Sequence, residues 1–271
     1  PGGSTAFANI SGQTSAIWNP AGPSFATAGT YLVRLYYNRT GSGCGDAYSN
    51  VITITVIADP TISITHNLGS TTICTGGDPG SFTSNQANGQ SGPVFTWQLD
   101  PPGSTSWTPV ATSDNWDPTV GGSPFTSAGT YGVRCTYTTN GTGCGTATSN
   151  TVNITVVAEP SVSISTTLGG GNPVCNSNNQ VAFTSSISNG TGSYSYQWQQ
   201  WNGSTWVAAA GTNTNNSYTT PTLIVSTRYR VRITNTNTSL DCATDLSNEI
   251  DVVIPGQPAV GGTNYTPTPP T

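Results

Sequence analysis

Among its 271 residues the chain has no lysine, no methionine and a single histidine, His66. Only 6% of its residues are charged, against about 25% in an average soluble protein. Each absence closes off some chemistry. Without lysine there is no Schiff base, no P-loop lysine and no Lys–Asn isopeptide crosslink. One histidine leaves no His-rich metal site, and a His-based triad would have to be built on His66 alone. Six basic residues against eleven acids give a net charge of −5 and a pI near 4.4, so nucleic acid finds no basic footprint. No apolar run approaches the ~20 residues of a membrane-spanning helix, so membrane insertion is not expected. The sequence opens at Pro1, with neither Met nor a signal peptide, and reads as a mature or trimmed piece of something longer.

What is present is Thr, Ser, Asn and Gly, with seven Trp and eleven Tyr. A polar chain of low charge could be disordered. The aromatics and the alternating β-branched runs argue for a packed structure instead.

Self-similarity organises the chain. FATAGTYLVRL at 25–35 returns as FTSAGTYGVRC at 125–135, an offset of one hundred residues. The match continues through residues 41–65 and 141–165. A more divergent copy follows. FTWQ at 95–98 matches YQWQ at 196–199, YGVRCT at 131–136 matches YRVRIT at 229–234, and TSNTV at 148–152 matches LSNEI at 246–250. The expected layout is an incomplete repeat at 1–58, full repeats at 59–158 and 159–255, and a Pro/Thr/Gly-rich tail or linker at 256–271. The first repeat lacks the counterpart of 59–100. A partial sandwich exposes unpaired edges, so its missing strands are expected upstream of Pro1 or from another chain.

Strand signals recur at short spacing between Gly, Asn and Pro turns. In the second repeat they are Thr61–Thr65, Ser81–Ser84, Val94–Leu99, Trp107–Ala111, Thr130–Thr138 and Asn150–Val157. No helical period of useful length appears. About seven short strands per hundred residues predict an all-β chain of tandem immunoglobulin-like β-sandwiches, each about 100 residues. Trp97 and Trp198 fall mid-strand, where such folds keep a core Trp. Tyr31, Tyr131 and Tyr229 open the strongest strand, as a tyrosine corner does.

Six cysteines follow the repeats. Cys74 and Cys175 precede the second strand of their copies, and Cys144 and Cys242 follow the Tyr-led strand. Pairing within each copy, Cys74–Cys144 and Cys175–Cys242, is the simplest scheme. Each bond would close a loop of about 70 residues, worth about 4 kcal/mol on the chain-entropy model. Disulfides imply an oxidising compartment. Cys44 matches Cys144 and needs a partner outside this sequence. Cys135 is unpaired in this scheme: a buried thiol, or one end of a Cys44–Cys135 or intermolecular bond.

No catalytic residue, metal site or cofactor is expected. Asp59 and Glu159 recur at the repeat junctions, too few oxygens for calcium. Asp114 and Asp117 flank Trp116 in a turn-rich stretch, SDNWDP, and do not recur in the first repeat. Trp18, Trp116, Trp201 and Trp206 are not obvious core positions and are candidate contacts for glycans or a protein partner.

At SAGTYGVRC (127–135), GCGTATSNTVNITV (143–156) and ICTGG (73–77) the chain resembles the Ig-like and PKD-like repeats of giant Bacteroidota surface proteins. These include gliding-motility adhesins exported by type IX secretion. The resemblance implies a non-catalytic, extracellular, cell-surface segment that acts as stalk or spacer and presents adhesive surface. Its partners would be neighbouring repeats, other copies in a filament, or surface glycans. Two alternatives stand beside it: a glycan-binding accessory module using exposed Trp, and a filament subunit assembling by strand donation into the first repeat.

Overall fold

The computed structural model describes residues 7–10, 13–20, 25–38, 41, 43, 45–67, 71–89, 92–140, 144–168, 174 and 180–255. Cys44, Cys175 and the 256–271 tail lie outside the described residues. The described residues form strands and turns, with a 3-10 turn at Thr238–Leu240 and no helix long and apolar enough to cross a membrane.

The first repeat contributes β1 (Gly29–Val33), β2 (Tyr36–Tyr37), β3 (Ala47–Tyr48) and β4 (Ile52–Val56). β1 pairs antiparallel with β4, and β2 with β3. None of its described residues is buried, and Leu35 and Ile52 stand half exposed or more. Two-stranded ladders of this kind, with no buried residue among those described, do not enclose a core of their own.

The second repeat holds β5 (Thr61–His66), β6 (Thr72–Cys74), β7 (Phe82–Ala87), β8 (Val94–Asp100), β9 (Thr108–Ala111), β10 (Asn115–Trp116), β11 (Gly129–Thr138), β12 (Ala147–Thr148) and β13 (Val152–Val157). One sheet runs β10-β7-β5 and the other β6-β13-β11-β8-β9, with β12 extending the pairing of β11. All pairings are antiparallel except β6 with β13. The first strand thus divides: β5 joins one sheet, then β6 crosses to run beside the last strand of the other. Two sheets so connected form the immunoglobulin-like sandwich. The short β6, β10 and β12 have no alternating run to announce them.

The third repeat repeats the plan with β14 (Ser161–Thr166), β15 (Ala182–Ser188), β16 (Tyr194–Trp201), β17 (Trp206–Ala208), β18 (Ser217–Thr219), β19 (Thr227–Asn235), β20 (Asp245–Leu246) and β21 (Ile250–Val252). Its sheets are β14-β15-β18 and β17-β16-β19, with β20 and β21 both on β19.

Side-chain period two builds the cores. Along β11, Tyr131, Val133, Cys135 and Tyr137 turn inward; along β19, Tyr229, Val231 and Ile233 do. Trp97 and Trp198 lie fully buried at the centre of separate clusters, one drawn from residues 64–156 and one from 162–254. A buried indole N–H needs an acceptor. Trp97 Nε1 donates to the Ser113 carbonyl at 2.9 Å and Trp198 Nε1 to the Asn215 carbonyl at 2.8 Å.

The two junctions that lead into the full repeats are built alike. The Ala58 carbonyl accepts the Gly89 amide at 3.1 Å, and the Ala158 carbonyl accepts the Gly190 amide at 2.9 Å. Pro60 and Pro160 are both buried. The receiving turns, Asn88-Gly89 and Asn189-Gly190, have both residues at positive φ, a pair of positions suited to Asn-Gly. At Gly190 the fit is also steric, since a Cβ would come within 3.0 Å of Pro160.

Candidate functional site

The junction between the second and third repeats is the most elaborated polar site. Strand β6 ends at Cys74, opposite Val157 at the end of β13. Thr75 donates through its amide and its hydroxyl to the Val157 carbonyl. Gly77 then folds back, its amide on the Cys74 carbonyl at 2.9 Å. A Cβ on Gly77 would crowd that carbonyl and the Asp241 Cβ, so glycine lets the third repeat approach closely.

From the other side comes the loop after β19. Asn237 caps the 3-10 turn, its side-chain oxygen accepting the Ser239 amide and hydroxyl. Asp241 closes the turn in the left-handed region, φ 50°, a conformation Asp tolerates. Its carboxylate accepts the Asp78 amide at 3.0 Å, and Glu159 accepts the Ala243 amide at 2.8 Å. Between these two hydrogen bonds Cys242 is disulfide-bonded to Cys74, with Cα atoms 5.0 Å apart.

This corrects the pairing expected from the sequence. Cys74 does not bond Cys144, which is a free, half-buried thiol, and Cys242 is taken by Cys74 rather than Cys175. The reason is strand direction. Cys74 lies beside the end of β13, whereas Cys144 precedes β12 and the start of β13. The six residues of β13 alone span about 20 Å, far beyond the ~7 Å between Cα atoms that a disulfide can bridge. Cys175 lies outside the described residues.

Glu159 brings a carboxylate oxygen within 4.8 Å of both sulfurs. Sulfurs joined to each other are not thiolates, so the oxidised group offers a metal only the carboxylate. Asp59 has no comparable partner described. Cys135 is free and buried in the core, where burial pushes its thiol up to about 11. A thiol so protonated is a poor nucleophile.

The tryptophans divide. Trp116 is not a surface contact: it is 7% exposed, on the inward face of β10, stacked on Phe82 at 5.4 Å and tilted against Trp97 at 6.0 Å. Trp18 is half-buried against Phe25. Trp201 and Trp206 are half-buried cross-strand partners, ring centroids 5.6 Å apart and edge-on.

Trp107 and Trp206 share a device the sequence reading missed. Arg134 lies over Trp107 at 3.9 Å and donates Nε to Gln98; Arg230 lies over Trp206 at 4.1 Å and donates Nε to Gln199. Gln98 and Gln199 each follow a core Trp, so the Trp-Gln pair was the available signal. Asp117 accepts the Thr119 amide and hydroxyl, and those bonds lower its pKa. Its carboxylate therefore serves its own turn. His66 is half-buried, its ring tilted against Phe82. Burial pushes Tyr218 up to about 12 and raises Tyr229 as well.

The molecule is therefore an all-β chain of immunoglobulin-like sandwiches joined through a cross-repeat disulfide. A family model described as a domain of unknown function, DUF8696, matches residues 164–255. No curated protein matches the chain. Among solved structures, a marsupial T cell receptor is similar at 11% identity, covering 74% of this chain and 75% of its own, with a TM-score of 0.42. Titin domains A168–A170 align at 20% identity over 83% and 75%, TM-score 0.35. Fibronectin(III)-like modules of Clostridium thermocellum CbhA align at 12% identity over 71% and 94%, TM-score 0.27. The strand order above is what carries the fold class.

Proposed function

We propose that this chain is a non-catalytic stalk or spacer segment of a large bacterial cell-surface adhesin, holding adhesive surface away from the cell. The observation that carries the reading is the Cys74–Cys242 bond between one repeat and the next. A spacer needs neighbouring units fixed in relative position, and here a covalent link and a charge-assisted hydrogen bond, Asp241 accepting the Asp78 amide, join the second repeat to the third. Such a link persists in an oxidising, extracytoplasmic setting. Stability in such an array is approximately additive over repeats and their interfaces.

The test compares oxidised and reduced protein by small-angle scattering and by glycan array. A spacer keeps one inter-repeat arrangement when oxidised, gains freedom on reduction, and binds no glycan. Glycan binding abolished by Trp201→Ala, with no change of arrangement on reduction, would favour the accessory-module reading. Arg230 already covers one face of Trp206, which leaves less ring for a sugar.

A further inference from the structure

We propose that the Cys74–Cys242 clasp is one link of a series, and that Cys144 is the seat for the matching cysteine of a preceding repeat of this same kind. The inference rests on the spacer reading and extends it to a half-made site.

Cys144 stands where Cys242 stands, counted from the strands that flank it. Five residues after each comes a serine whose hydroxyl accepts a strand amide, Ser149 from Cys135 and Ser247 from Val231, both at 2.9 Å. Six residues after each comes an asparagine that clasps the opening strand. Asn150 accepts the Ile64 amide at 2.8 Å and donates to its carbonyl at 3.1 Å; Asn248 does the same to Ile164 at the same distances.

The approach of the preceding repeat also matches. Ala58 and Ala158 dock on equivalent turns, and Pro60 and Pro160 are both buried. The β1–β4 pair has the register of β11–β13 shifted by one hundred residues: Tyr31 faces Ile54 as Tyr131 faces Ile154. β13 carries β6, and with it Cys74, on its other edge. Among the described residues β4 pairs with β1 alone. A short parallel strand on that free edge of β4, placed as β6 is on β13, brings its terminal cysteine to Cys144. The occupant is thus the first repeat's own counterpart of residues 72–74, which the repeat offset puts ahead of Pro1.

The bond forms by exchange with a low-molecular-weight disulfide such as oxidised glutathione. One protein thiolate attacks it and releases a glutathione thiolate. The second protein thiolate then displaces the other glutathione, so two protein thiols become one disulfide and two glutathiones are produced. Cys135 does not compete, being sealed in the core.

The experiment duplicates residues 59–100 ahead of Pro1 in the full chain, refolds it in a glutathione buffer and maps disulfides without reduction. The expected result is two links, the added cysteine with Cys144 and Cys74 with Cys242, with Cys144 alkylated by iodoacetamide in the 271-residue chain and protected in the extended one. With Cys144→Ser, the added cysteine should alkylate while Cys74–Cys242 persists. Cys74–Cys242 formed but Cys144 still alkylating would overturn the series and leave the spacer reading standing. Absence of both links in folded protein would remove both. If the extended chain does not fold, residues 59–100 are supplied as a separate peptide to the 271-residue chain. A mixed disulfide at Cys144 then supports the inference, and none at Cys144 overturns it.

Discussion

In the second repeat the Tyr131 hydroxyl accepts the Ser127 amide at 3.1 Å; in the third, Tyr229 opens the matching strand and its hydroxyl is buried with no hydrogen-bond partner among the described residues. The first repeat bonds in the opposite sense, Tyr31 donating to the Thr27 carbonyl at 2.8 Å. The Ala-Gly-Thr that precedes Tyr31 and Tyr131 is replaced by Ser-Thr-Arg before Tyr229, so the expected corner is missing there. A second contrast lies on the outer faces. The arginine over the hairpin Trp comes from position 134 in one repeat and from 230, the counterpart of Gly132, in the other. A Cβ on Gly132 would strike the Trp107 ring at 2.9 Å, so there the arginine reaches in from two residues further on. A third contrast is register: Thr136 faces Thr148, but Arg232 faces Leu246, two residues earlier on the strand. An even slip leaves every side chain on its original face. The inward stripe is strictly kept, while hydroxyl partners, arginine positions and hairpin register drift around it.

Four sets of substitutions press on that contrast. Trp97→Ala should cost about 3–5 kcal/mol in the second repeat, and Trp198→Ala a similar amount in the third. Urea unfolding followed by repeat-specific hydrogen exchange should show each loss confined to its own core. Equal loss in both would mean the two cores unfold as one. Next, Tyr131→Phe should cost about 1 kcal/mol, because the Ser127 amide loses the hydroxyl that accepts it. Tyr229→Phe should be neutral or stabilising, since it removes an unpartnered hydroxyl; a loss equal to that of Tyr131→Phe would show a partner for Tyr229. Arg134→Ala and Arg230→Ala should each cost about 0.5–1 kcal/mol. A double-mutant cycle with Trp107→Ala or Trp206→Ala should recover that coupling, and a zero coupling would reduce the stacking to coincidence. Smallest is Arg228→Ala. Its ion pairs with Glu249 and Asp251 are solvent-exposed, so the change should stay within about 0.5 kcal/mol and shrink in high salt.

The sandwich was legible because burial on one face imposes strict alternation, as in Tyr131-Gly132-Val133-Arg134-Cys135, and because Trp97 and Trp198 recur mid-strand. The strands β6, β10 and β12 were not legible, being too short for a period to register. Trp116 was misjudged for the same reason: a two-residue strand has no pattern to show which way its Trp turns. The cysteine partners were hidden by the repeat itself. An offset of about one hundred residues says which cysteines are equivalent, yet leaves open whether a partner lies in the same copy or the next. The direction of the strands decides that, since β6 ends at the pole from which the chain leaves the repeat.

The bond between Cys74 and Cys242 also reroutes tension. When the chain is pulled at both ends, the shortest covalent route enters along residues 59–74, crosses the two sulfurs and leaves along 242–255. Residues 75–241, nearly all of both sandwiches, hang as a closed loop beside that route. Their unfolding releases no length while the bond is intact, so core packing resists only the drawing out of β5, β6, β20 and β21, and the length stored in residues 75–241 is released only by reduction.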